Sequence, residues 1–405
     1  MGSGADIRVE LGSGAAWLTE AARRMERTFE DVLSMLGPGQ RVRLETGSTI
    51  YRGPYESHIL EVDSGGVRIA APMDNGKLVL IPVGTTVTVT ADTPVGSVTF
   101  ETAIVDRTAG RNRSLLLASP PAPGAEEVAP PRDVPIIAVG SGKGGVGKTT
   151  LVVNLGIALC RLGKRVCVID GDLGTANVDV IINVGSRYNL SHVVSGERHM
   201  LEVVVEGPEG LIVLPGGSGL QELTMLDERK FSMILSQFRE LEEYADIILV
   251  DTGSGLSPSV TNFLMAASQS ILITTPEPHA ITDCYALIKV LATKGYTEPL
   301  RLVVNRVESD VEAADISRKM TFASRRFLNT QLDVLGSIAE DPAVARSIRR
   351  QEPLMLSEPR SRAAAQVQTI AQRLVGGEEA PHKAGGTLGF FQRVRRLIPG
   401  WEGRA

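Results

Sequence analysis

The chain has 405 residues, 43% of them apolar, and a net charge of −5 with a sequence pI near 5.7. That length accommodates two or three domains with a full-sized core, and the mild acidity excludes a molecule-wide basic field for bulk nucleic-acid binding while leaving room for a local patch. Cys160, Cys167 and Cys284 lie far apart with no C-x-x-C pair, which argues against zinc, an iron–sulphur cluster or a disulphide framework and fits a reducing cytoplasm.

No apolar run approaches the ~18 residues of a membrane-spanning helix, and the start of the chain lacks the apolar core of a signal peptide. A soluble chain is expected, apart from what its far end does. In the N-terminal segment 1–37, Trp17, Leu18, Ala21, Ala22, Met25, Phe29, Val32, Leu33 and Leu36 recur at three- and four-residue steps, which predicts an amphipathic helix. Such a helix packs on a neighbouring domain or recognises a partner; Gly37-Pro38-Gly39 ends it. The pattern then shortens to alternating runs such as Thr86-Val87-Thr88-Val89-Thr90, with turn residues such as Asp74-Asn75-Gly76 between them. This predicts a small all-β barrel of five to seven strands over 38–119. A polar linker rich in proline follows over 120–133.

Apolar runs at 134–139, 165–169, 211–214, 246–250, 271–275, 301–304 and 332–338 are mostly separated by helical patterns. They predict an α/β domain over 134–375, a mostly parallel sheet covered by helices on both faces, with ligands beyond the carboxyl ends of its strands. A flexible tether, 376–386, leads to a final segment, 387–405.

The stretch Gly140-Ser141-Gly142-Lys143-Gly144-Gly145-Val146-Gly147-Lys148-Thr149-Thr150 fits G-x-x-x-x-G-K-[ST] between a strand and a helix, the setting a P-loop requires. The glycines turn backbone N–H groups toward phosphates, Lys148 supplies charge to the β and γ oxygens, and Thr149 offers a hydroxyl to Mg²⁺. The helix beginning near Gly147 adds the positive end of its dipole. Lys143 is surplus to that task. The run from Lys143 to Thr149 resembles the K-G-G-x-G-K-T of the deviant-Walker ATPases of the MinD/ParA class. The resemblance implies a slow, Mg²⁺-dependent P-loop ATPase that forms an ATP-dependent homodimer, with Lys143 reaching the partner's phosphates.

Val166-Cys167-Val168-Ile169 runs into Asp170-Gly171-Asp172, and two carboxylates at the end of a buried strand need a cation, a held water or a helix terminus to satisfy them. By resemblance this is switch I: Asp172 positions the attacking water, and Asp170 organises the magnesium surroundings or caps the next helix. Ile247-Ile248-Leu249-Val250-Asp251 is a Walker B strand whose Asp251 holds Mg²⁺ through water. Thr252-Gly253-Ser254-Gly255 resembles switch II, with Gly255, or else Gly253, touching the γ-phosphate. Asn305, followed by Arg306 at another strand end, resembles the family's adenine reader, although a buried asparagine also serves simply to satisfy backbone groups. The loop Glu340-Asp341-Pro342 then closes the other side of the base. Catalysis by Lys143, Lys148 and Asp172 would be positioning and electrostatics.

Segments 174–179, 188–197 and 274–283 resemble the flagellar-number regulators of the MinD class, FlhG or YlxH, and the likeness runs through 134–375. It implies control of flagellar number or placement from the inner face of the cell membrane, with flagellar assembly proteins, including a signal-recognition-type GTPase, as partners. Segment 20–26 departs from the D-Q-A-x-x-L-R motif that stimulates that GTPase. The barrel resembles the PilZN domain of flagellar brake proteins through Gly39-Gln40-Arg41-Val42-Arg43-Leu44 and Ile69-Ala70-Ala71-Pro72-Met73. Arg107 and Arg111 have R-x-x-x-R spacing, but the D/N-x-S-x-x-G segment is missing, so cyclic di-GMP binding is not expected. In the last segment Phe390, Phe391, Val394, Leu397 and Ile398 share about a third of a helix circumference, with arginines on the remainder. This resembles MinD's membrane-targeting tail; packing on the chain's own surface is the alternative. The rival reading of the whole is a ParA-like partitioning ATPase that binds DNA non-specifically. His192 and His279 lack ligand spacing and are expected to be structural or surface residues.

Overall fold

The structure is a computed structural model, and it describes residues 8–11, 33, 36–46, 53–63, 66–74, 77–81, 83–93, 96–108, 113–118, 133–172, 178–223, 226–376 and 385–397. Nearly all of the expected N-terminal helix, segment 20–26, Arg111 and Ile398 lie outside the described residues. The chain divides into two compact units, 1–130 and 131–405.

The first unit holds strands β1 (Arg8–Leu11), β2 (Arg41–Thr46), β3 (Tyr55–Asp63), β4 (Gly66–Ala70), β5 (Met73–Asp74), β6 (Lys77–Leu78), β7 (Thr86–Thr93), β8 (Gly96–Thr108) and β9 (Ser114–Ala118). The order β8-β7-β2-β3-β4-β9 returns to β8, so six strands close into an antiparallel barrel. Closure removes the edges that would otherwise template aggregation. The thirteen-residue β8 pairs with both β7 and β9, and a register shift between Ile104 and Asp106 lets it bend around the corner. Alternation sets the interior: Val42 and Leu44 point in while Arg41 and Arg43 point out, and Ile59, Ile69, Val87, Phe100 and Leu117 fill the centre. Strand β1 adds outside the closed six by pairing antiparallel with β8, a strand the sequence reading did not contain.

The second unit is an eight-stranded sheet. Its strands are β10 (Ile136–Ser141), β11 (Val166–Gly171), β12 (Val205–Glu206), β13 (Ile212–Leu214), β14 (Ile247–Ser254), β15 (Gln269–Thr274), β16 (Leu300–Val307) and β17 (Asp333–Ala339). The order is β12-β13-β11-β14-β10-β15-β16-β17, and every pairing is parallel except β12 with β13. Strands β10 and β11 are buried along their whole length, as continuous apolar runs inside a doubly covered sheet must be. The principal helices are α1 (Lys148–Arg161), α2 (Val178–Ile182), α3 (Leu190–Val194), α4 (Met200–Val203), α5 (Gly219–Leu223), α6 (Glu228–Glu242), α7 (Pro258–Ala266), α8 (Pro278–Thr293), α9 (Asp310–Leu328), α10 (Pro342–Arg350), α11 (Leu354–Ser357), α12 (Arg362–Gly376) and α13 (Gly386–Arg396). Adjacent strand ends bring Asp170 level with Asp251 and place Ser141 beside Ser254, so the motif residues gather at one edge of the sheet.

In this structure the C-terminal helix packs on the chain's own surface. Phe390, Phe391 and Val394, expected to enter a bilayer, are 1%, 2% and 3% exposed because α6 and α7 supply the apolar partner their stripe needs. The Phe391 ring lies 4.3 Å from that of Phe238, and Phe390 stacks 6.0 Å from Phe263. Burial of these side chains contributes about 1.5–3 kcal/mol each, gross. Polar contacts fix both ends. Asp133 Oδ1 accepts the Gly385 and Gly386 N–H groups at 2.9 and 3.0 Å, and Glu242 Oε1 accepts Thr387 N–H and, at 2.6 Å, Thr387 Oγ1. These carboxylates sit where the helix dipole favours negative charge. Burial pushes the Glu242 carboxyl up from its ordinary value, against the pull of those bonds. At the other end Arg393 Nε donates to Ala266 O and Asn262 Nδ2 to Leu397 O. Leu397 is half-buried. Among the described residues no helix is long and apolar enough to cross a membrane.

Candidate nucleotide-binding site

The P-loop leaves β10 at Ser141 and enters α1 at Lys148. Gly147 is the N-cap, at φ 96° in the left-handed region, and a Cβ there would stand 2.5 Å from Asn305 Nδ2. Gly142 is pressed against the Asp283 carbonyl, where any side chain would collide. Gly144 and Gly145 are exposed, so the loop's backbone is open to a ligand, while Val146 is buried beneath it and pins it to the core. Thr149 and Thr150 are half-buried in the first turn of α1.

Lys148, 7% exposed, donates from Nζ to Asp251 Oδ1 at 3.1 Å. Asp251 is fully buried; desolvation raises its carboxyl above the ordinary value, opposed by Lys148 and by the Thr149 hydroxyl. Its second oxygen, Oδ2, is buried with no hydrogen-bond partner. A buried carboxylate oxygen without a donor, beside a threonine hydroxyl, is the hard oxygen set that suits Mg²⁺. Thr149 and Asp251 would therefore hold the ion, which when bound supplies positive charge to the β and γ phosphate oxygens.

Of the two switch I carboxylates, Asp170 is buried and accepts the N–H groups of Asp172 (3.2 Å) and Val178 (3.3 Å). It thus caps the start of α2. Asp172 is half-buried and lies beside Gly253, close enough to Asp251 to raise the latter's carboxyl further. Gly255, the first choice for the γ-phosphate contact, has its N–H donated to Ser141 O at 2.9 Å. Gly253 lies beside Asp172, and Gly255 ties switch II to the P-loop strand.

Asn305 Nδ2 donates to Val146 O at 2.7 Å, so this amide braces the P-loop from β16, two strands away from β10 in the sheet. Arg306, at φ 58°, follows it, and its Nε stands 4.0 Å from Glu340 Oε2 at the surface. The Asp341 side chain is occupied in structure: it accepts Ala343 N–H at the start of α10 and Ala363 N–H of α12.

Lys143 does not join Lys148 in the cradle. Its Nζ lies 2.6 Å from Glu277 Oε2, with the two side chains 38% and 56% exposed. The lysine's hydrogen bond and charge hold the Glu277 carboxyl below its ordinary value.

The description CobQ/CobB/MinD/ParA nucleotide binding domain matches residues 137–354, more than half of the chain. The chain belongs to this family. Within the MinD/ParA class it is similar to the antiactivator FleN of Pseudomonas aeruginosa, 36% identical over 265 residues that make up 65% of this chain and 94% of that protein. It is also similar to the flagellum site-determining protein YlxH of Helicobacter pylori, 34% identical over 271 residues, 65% of this chain and 90% of that one. Among solved structures, the cell division ATPase MinD of Pyrococcus furiosus superposes with a TM-score of 0.50 at 27% identity, covering 60% of this chain and 98% of that one. The first unit matches the PilZNR description, flagellar protein YcgR, over residues 37–120.

Two residues that serve this MinD/ParA-class site were not singled out from sequence. Glu277 lies in a segment whose family likeness was legible, but its pairing with Lys143 spans 134 positions and leaves no local trace. Asn154, buried in α1, joins Thr150 O to Met355 N–H and so ties the loop's helix to α11; an asparagine inside a helical apolar run was the available signal. His192 is structural, in the Asn189 capping box of α3, and among the described residues no metal-ligating cluster exists.

Proposed function

We propose that this chain is an ATP-driven dimerisation switch that hydrolyses ATP slowly and sets the number or placement of flagella. As the ATP-bound dimer it attaches through its C-terminal region to the inner face of the cell membrane. The observation that carries the reading is the separation of the two lysines. Lys148 is committed to its own cradle through Asp251, whereas Lys143 stands at the exposed rim on a weak surface pair with Glu277, free to exchange that partner for a phosphate.

The flagellar part of the reading is supported twice over. The second unit is similar to proteins named as a flagellar antiactivator and a flagellum site-determining protein, and the first unit, independently, to a flagellar protein. In this scheme Lys148 and the P-loop amides bind the triphosphate, and Lys143 crosses to the partner copy. Asp172 orients the attacking water, and Gly253 senses the γ-phosphate. Asn305 both braces the loop and reads the adenine. The barrel is a docking or regulatory module for flagellar assembly proteins. The discriminating variants are Lys143→Ala and Asp172→Ala, compared by light scattering with ATP and Mg²⁺. The first should stay monomeric while still binding nucleotide, and the second should accumulate as dimer; a Lys143→Ala protein that dimerises like its parent overturns the assignment.

A further inference from the structure

Strands β10 and β14 fall out of step where the P-loop begins. Val139 pairs with Asp251 and Ser141 with Ser254, so two steps along β10 are matched by three along β14. Side chains alternate between the faces of a sheet, and residues paired side by side share a face. Without the extra residue Ser254 would lie on the face opposite Asp251. With it, Ser254 returns to the face of Val139, Ser141 and Asp251, the re-aiming that a bulge performs beside a site. Its Oγ stands 3.4 Å from the place a Cβ on Gly144 would take, over the exposed glycine pair of the loop. The neighbouring hydroxyls are engaged: Ser141 Oγ donates to Lys143 O at 2.9 Å, Thr252 Oγ1 donates to Val139 O at 3.0 Å, and the Thr149 hydroxyl bonds Asp251. The exposed Ser254 hydroxyl makes no hydrogen bond among the described residues.

Lys148 and Asp251 mark the buried floor of the cradle, and Gly144 its open rim. Asp172, the carboxylate proposed to orient the attacking water, stands beside Gly253, the residue before Ser254. That water attacks the terminal phosphate, so a donor at this place meets the third phosphate of a triphosphate. We infer that the Ser254 hydroxyl donates a hydrogen bond to a γ-phosphate oxygen of the nucleotide bound in its own chain, and so makes the site distinguish ATP from ADP. The inference rests on the nucleotide-binding reading proposed above and adds a specificity-determining residue to it. A hydroxyl donating to a phosphate oxygen makes a charge-assisted bond, stronger than one between neutral groups. ADP has no γ-phosphate to accept it, so the stabilisation falls on ATP alone.

The test is calorimetry on the full chain with Mg²⁺, comparing ADP with the non-hydrolysable β,γ-imido analogue of ATP. Ser254→Ala should weaken binding of the triphosphate about tenfold and leave ADP unchanged. Ser254→Thr keeps the hydroxyl and should hold the parent's ratio of the two affinities. A merely structural role would move both nucleotides together. Repeating the comparison in Lys143→Ala removes the share that dimerisation adds to triphosphate binding, and the tenfold loss should persist there. An unchanged ratio in Ser254→Ala, or equal losses for both nucleotides, overturns the assignment while leaving nucleotide binding in place. A loss that disappears in the Lys143→Ala chain also overturns it, because the hydroxyl would then act across the dimer and not on its own nucleotide. A parent chain that binds neither nucleotide overturns the reading beneath the inference, and the inference with it.

Discussion

The buried pair between Lys148 and Asp251 makes opposite predictions for the loss of each member. In Lys148→Met the stranded group is a carboxylate that burial already raises, so it escapes its isolation by taking up a proton. Protonating an ordinary aspartate at pH 7 costs about 4 kcal/mol, which caps the penalty for stranding it. A carboxyl raised in the folded state contributes stability at pH below its ordinary range and loses it as pH rises through the raised value. The deficit of Lys148→Met should thus shrink as pH falls from about 7 to about 5, by up to about 1.4 kcal/mol per unit. In Asp251→Asn the stranded group is an ammonium that acid cannot discharge, and the deficit should hold at about 3–5 kcal/mol across that window. The readout is native-state hydrogen exchange of β10 and β14 amides in nucleotide-free protein, corrected for intrinsic rates, which reports the second unit alone. Parallel pH profiles for the two variants, or deficits below about 1 kcal/mol in both, would refute the buried-pair reasoning.

Three further outcomes follow from single contacts. Gly147→Ala places a methyl in a left-handed backbone position and against Asn305 Nδ2, so ATP binding measured by calorimetry should be lost while the barrel unit is unaffected. Asn154→Ala leaves Met355 N–H buried without its acceptor and should lower the second unit's stability by about 1–3 kcal/mol in urea unfolding, with α11 amides exchanging first. Thr149→Val keeps the shape of the side chain and removes its hydroxyl, so the Mg²⁺ concentration needed for half-maximal ATP binding should rise, whereas binding without Mg²⁺ should change little.

The parts of this molecule that sequence made legible are those whose residues carry their own constraint. The P-loop glycines and Lys148 announce a phosphate cradle because few other arrangements use that spacing. Strands β10, β11 and β14 read as continuous apolar runs because both faces of the sheet are covered, and the last two run into acids, Asp170 and Asp251. What sequence hid was set by partners distant along the chain. Val205–Glu206 became a strand by pairing with β13, and two residues have no period to detect. Gly255 and Gly253 look alike in sequence, and only the bond from Gly255 N–H to Ser141 O separates them. The stripe on α13 states that the helix needs an apolar partner without saying which; Phe238 and Phe263, more than a hundred positions away, answer. Asp170 offered two readings, and its bond to Val178 N–H adds the capping role.

The central claim, that a triphosphate joins two copies and its cleavage lets them part, is tested most directly by the mass of the purified full-length chain in solution with Mg²⁺ and either ATP or ADP. The account predicts a dimer with ATP that returns to monomer as the ATP is consumed, and a monomer throughout with ADP. One mass under both conditions would contradict it, even if hydrolysis were measured in the same sample.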